Sequence, residues 1–166
     1  MLAQCLIALT ALAAAPVATV DLARIGHVQP KGRIQDTEYN NLPVVDALIS
    51  MGPSAIPFLV SQLEDEGRAE GHVFDFWPDV RVADVALVVL CDFFLAADWR
   101  TPTVPGLQWD SLLERRDQDA SGAILLQEFV AKHGRAEIRR RVEKILQAHT
   151  RGFAWDEKER CFRPSK

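Results

Sequence analysis

Residues 42–63 read LPVVDALISMGPSAIPFLVSQL, and this stretch decides the fold class. Val44, Val45, Leu48, Ile49 and Met51 recur at helical spacing, and Gly52 follows the last of them as a stop signal. Asn40 or Asn41 offers an N-cap, and Pro43 fits the first turn, where its missing N–H costs nothing. Ser54 is the expected cap of a second helix, with Pro57 early in it and Ile56, Leu59, Val60 and Leu63 turned inward. Two short helices joined at one glycine predict an antiparallel pair.

Working outward, residues 67–79 (GRAEGHVFDFWPD) form an insertion rich in glycine and aromatic residues. Pro78 and Asp79 then open the most apolar stretch, Val80 to Ala97, whose hydrophobic residues cover nearly the whole helical circumference. A helix that is apolar all round belongs at the centre of a domain. Further helices are expected over 108–116, 122–133 and 135–149, with Gly134 as a stop between the last two. Within the last helix Glu137 and Arg141 stand at i,i+4 spacing. Residues 153–162 (FAWDEKERCF) read as a small terminal β-hairpin. The fold class is therefore all-α: a compact bundle of antiparallel helix pairs around a central buried helix 80–97, closed by a C-terminal hairpin.

The chain has 166 residues, the length of one domain, which suffices to bury roughly two-thirds of its unfolded surface. A net charge of −4 argues against general nucleic-acid binding, which needs a cationic surface. The charge is uneven: residues 132–151 carry seven Lys/Arg against two acidic residues. Leu2–Val20 has no charged side chain and ends in small residues, like a secretory leader. Residues 1–18 are thus expected to be a signal peptide, with 19–166 the helical domain, secreted or periplasmic. A membrane anchor over 2–20 is the alternative, and the mature chain offers no stable span. Cys91 and Cys161 would survive cleavage, and a disulfide between them stays open.

The run from Ala47 to Gly52, then Ala55-Ile56-Pro57-Phe58-Leu59-Val60 and Leu63-Glu64-Asp65, resembles the HEAT-like repeats of bacterial proteins. So does Asp79-Val80-Arg81-Val82-Ala83 leading into Ala86-Leu87. The resemblance covers about 42–95 and differs from the family in the insertion at 66–78. It implies HEAT-like helix pairs and a non-catalytic interaction scaffold. One repeat is too few for a solenoid, so a compact domain is expected.

Residues 117–128 match an EF-hand loop in spacing, which makes calcium the candidate cofactor. Asp117, Asp119 and Ser121 supply oxygens, Gly122 the turn, and Glu128 a closing carboxylate. Leu125 and Arg116 depart from the pattern, and no second loop accompanies it. The competing reading makes Ser121 a helix cap and Glu128 a solvated helix residue. The calcium reading requires a turn, not a helix, over 117–124.

The histidines 27, 72, 133 and 149 have no zinc-ligand spacing, and no P-loop, G-x-S-x-G or G-x-G-x-x-G motif is present. Asp84 and Asp92 lie inside the apolar helix and need partners there, because a buried carboxylate left alone is costly. The leading functional reading is a secreted or periplasmic interaction module whose partner is another protein. Its candidate contact residues are Phe74, Phe76 and Trp77 in the insertion and Arg135 and Arg139 on the basic helix face. A calcium-stabilised protein is the alternative, and an enzyme using Asp84, Asp92 or His72 the lesser one.

Overall fold

All twelve residues of helix α3, Val82–Phe93, are buried, so the most apolar stretch of the sequence is the axis of the domain. The computed structural model describes residues 20–25, 42–70, 79–96, 101–113 and 122–166. It is mostly helical. The further elements are α1 (Leu42–Ser50), α2 (Ala55–Ser61), α4 (Trp109–Leu112), α5 (Gly122–His133), α6 (Arg135–Gln147) and strands β1 (Phe153–Asp156) and β2 (Cys161–Pro164). The expected leader, residues 1–18, lies outside the described residues.

Helix α3 is shorter than the expected 80–97, and both ends have a backbone reason. Arg81 is extended (φ −102°, ψ 156°) because its neighbours form a bridge across the base of the insertion. There Ala69 N donates to Val80 O at 2.9 Å and Val82 N to Gly67 O at 2.8 Å. At the other end Leu95 pairs with Pro102 in an isolated antiparallel bridge. Helix α4 likewise stops at Leu112 instead of reaching 116, and the Arg141 guanidinium donates to the Leu112 carbonyl at 3.0 Å, capping that helix end.

The first helix pair forms where expected but does not reverse. The chain turns by 112° between α1 and α2, short of the antiparallel arrangement. Gly52 takes the left-handed backbone (φ +58°) that a glycine stop requires. A 3-10 turn over Gly52–Ser54 then uses up part of the reversal. Ser54 is itself helical in backbone and makes no side-chain cap bond, so it is not the N-cap the sequence suggested. The apolar side of α2 (Ile56, Leu59, Val60) is buried against α3 and α6.

The hairpin forms as expected, in antiparallel register Phe153↔Pro164 to Asp156↔Cys161. Aromatic rings dock it onto the end of α3. Phe93 meets Trp155 and Phe162 edge-on at 5.8 and 5.6 Å, and Phe94 meets Phe153 at 5.1 Å. The Thr103 hydroxyl adds a bond to the Phe162 carbonyl, tying the 101–107 loop to β2. Cys91 and Cys161 are both buried and both free, so no disulfide staples the tail to α3. Burial pushes both thiols up, which keeps them protonated at neutral pH.

Candidate functional site

The charged residues of α6 divide into two groups, one consumed by the fold and one facing solvent. Arg135 opens the helix with its side chain only 10% exposed, donating to the fully buried Asp84 at 2.5 Å and to Glu66 at 2.9 Å. Asp84 also accepts from the Arg81 N–H at 2.8 Å, the reach-back bond of a residue at the third helical position. Burial raises the Asp84 pKa, opposed by its bonds to Arg135 and Arg81. This carboxylate thus finds the partners its position in α3 demanded.

Arg139 bridges Glu143 at 2.8 Å and Glu64 at 3.2 Å, linking α6 to the turn after α2. Arg140 grips Glu137 through two bonds of 2.7 Å. Arg141 reaches the same carboxylate at 2.9 Å while lying over the Phe129 ring at 4.7 Å. The Arg140 bonds, then those of Arg141, hold Glu137 down to about 2. The Glu137–Arg141 pair expected from spacing is present.

On the outer side of α6 an open groove of about 600 Å³ runs between α4 and the second half of the helix. Pro105, Leu112, Ile145 and Ala148 supply its apolar surface. Arg140, Arg141, Lys144 and His149 supply its polar side, with Ser111 across from them on α4. Next to Pro105, Gly106 has φ +87°, and a Cβ there would stand 3.5 Å from Ile145 Cδ1. A second groove of about 430 Å³ lies between α2 and β1, walled by Pro53, Pro57, Val60, Leu146 and Phe153.

Of the candidate contact residues, Arg135 and Arg139 are engaged in the internal pairs just described, and Phe74, Phe76 and Trp77 lie outside the described residues. His72 does too. Asp84 and Asp92 are both buried on α3, eight residues apart, and do not meet in a cleft. Asp117, Asp119 and Ser121 also lie outside the described residues. Glu128 is exposed on α5, which begins at Gly122, so 122–124 is helical where a calcium loop needs a turn. Among the described residues no cluster of three or more His, Cys, Asp or Glu side chains is arranged to hold a metal ion.

Lys144 belongs to the basic run 132–151, but the groove beside it was not among the sequence expectations. The visible signal was the spacing of Arg140–Lys144 and Arg141–Ile145, two adjacent i,i+4 rows of one helix face, with an isoleucine set among cations. The opposite wall, from Pro105 to Leu112, is brought in by tertiary folding alone. No single helix among the described residues is long and apolar enough to cross a membrane. Comparison with family models, with curated proteins and with solved structures gives no match.

Proposed function

We propose that this chain is a non-catalytic interaction module, a compact HEAT-like helical domain whose partner is another protein. One observation carries the reading: the groove between α4 and α6 is open to solvent, with apolar residues beside cationic ones. Interfaces are built from such mixtures, an apolar centre with a polar edge. The ion pairs Asp84–Arg135 and Arg139–Glu64 support it by fixing α6 against α3 and the α2 turn. The face is thereby held on a rigid element. In the same reading residues 1–18 export the domain, and the partner is met outside the cytoplasm.

The test is photo-cross-linking from the full chain, with the reactive residue placed at Ser111, at Lys144, at Phe74 or at Asp46 on α1. Adducts to one protein from 111 and 144 or from 74, absent from 46 and competed by the unmodified chain, support the module. No competed protein adduct from any of the four positions contradicts it.

A further inference from the structure

The composition of the α4–α6 groove selects its occupant, and this inference rests on the interaction-module reading above. Arg140, Lys144 and His149 stand on its polar side, and no carboxylate belongs to its described lining, although the whole chain carries a net charge of −4. Lys144 is exposed and forms no ion pair among the described residues. Arg140 is held in place by Glu137, yet its side chain remains 64% exposed. The other cations of α6 are spent: Arg135 on Asp84 and Glu66, Arg139 on Glu64 and Glu143, Arg141 on Glu137. Lys144 is thus the α6 cation without an ion pair among the described residues, and it stands at the groove beside the exposed, Glu137-held Arg140.

We propose that the groove takes an acidic amphipathic helix of the partner protein, apolar side chains on Leu112 and Ile145, carboxylates against Arg140 and Lys144. From Arg140 to Ala148 the α6 face runs about 12 Å, two helical turns, at 1.5 Å per residue. A helix laid along it presents anchors at i, i+4 and i+7, the spacing of groove-bound helices. The groove is open along its length, whereas small-molecule sites enclose most of their ligand. The cationic strip is also one helix wide, too narrow to follow a phosphate backbone, which rewards many simultaneous contacts.

The experiment is fluorescence anisotropy of the full chain with four probes. These are an amphipathic Leu/Glu peptide of about four turns, the same peptide with Lys for Glu, a single-stranded oligonucleotide, and a long-chain fatty acid as competitor. The Leu/Glu peptide is expected to bind, and the Lys form to bind at least about tenfold more weakly, a difference of roughly 1.4 kcal/mol. Lys144→Glu and Ser111→Trp, both at exposed positions, should each weaken Leu/Glu binding about tenfold or more while leaving the fold intact by circular dichroism. Equal binding of the two peptides overturns the inference, as does Leu/Glu binding indifferent to both substitutions. Preference for the oligonucleotide, or displacement of the peptide by fatty acid at lower concentration, overturns it in favour of those ligands. If cross-linking finds a protein partner from position 74 while the Leu/Glu peptide fails, the groove inference falls and the module reading stands.

Discussion

Asp84 and Arg135 are 51 residues apart in sequence and form an ion pair in which the carboxylate is fully buried and the arginine side chain nearly so. The pair joins the first turn of the central helix to the first turn of α6. It therefore sets where the outer helix sits on the core. Removing one member leaves the other charge buried and unanswered, which costs about 3–5 kcal/mol, whereas replacing both with apolar residues is often neutral. Arg135→Met alone and Asp84→Leu alone should each lower stability by about that amount in urea unfolding. The double variant should recover most of the loss, giving a large coupling energy in the cycle. Additive losses would show that the two charges do not depend on each other.

Acid stability carries two opposite contributions. Glu137 titrates at about 2 in the fold, below its ordinary 4.5, so it adds stability above pH 4.5 that is lost as pH falls toward 2. Asp84 is raised by burial, so its contribution has the reverse sign, falling as pH rises past its ordinary 3.8. Thermal melts between pH 5 and pH 2 should show Glu137→Gln losing less stability than the parent over that window. Asp84→Asn should lose more, whatever its absolute melting temperature.

The hairpin is held by rings and not by its two-stranded ladder alone. Phe162 is fully buried and touches Phe93, Phe94 and Trp155. Phe162→Ala should cost about 3–5 kcal/mol, as for large-to-small changes in a core. Near-ultraviolet circular dichroism, which reports ordered aromatics, should weaken in step with the lost stability. A loss below about 1 kcal/mol would mean that the hairpin is dispensable to the core.

Helix α5 starting at Gly122 fixes an expectation for calcium. Glu128, six residues after the start of that helix, is solvent-exposed. Millimolar calcium should leave the melting temperature of the full chain where a chelator leaves it. A calcium-dependent rise that disappears in Glu128→Gln would restore a ligand-linked site at 117–128.

Much of the fold was legible because its determinants are local. Gly52 and Gly134 both take the positive φ that their positions after a helical stripe implied. The all-round apolarity of residues 82–93 announced a buried axis, and Glu137–Arg141 followed from helical spacing. Other features depend on partners distant in sequence. The need of Asp84 for a cation was readable, but nothing local distinguished Arg135 from the other arginines of α6. The 112° turn after α1 depends on the 3-10 turn over Gly52–Ser54, which meets β1 from a distant part of the chain, and the early stop of α3 on a bridge to residue 102. The groove was hidden for the same reason: its two walls are some thirty residues apart, and only folding sets Leu112 beside Ile145.

Docking of the partner between α4 and α6 can be read residue by residue through amide-shift mapping by nuclear magnetic resonance. Adding the Leu/Glu peptide to the labelled full chain should shift amides of residues 107–113 and 140–149 together, and Lys144→Glu should move the same titration to about tenfold or more higher peptide concentration. Shifts confined to Pro53–Val60 and Phe153, lining the second groove, or scattered without a focus, would contradict it.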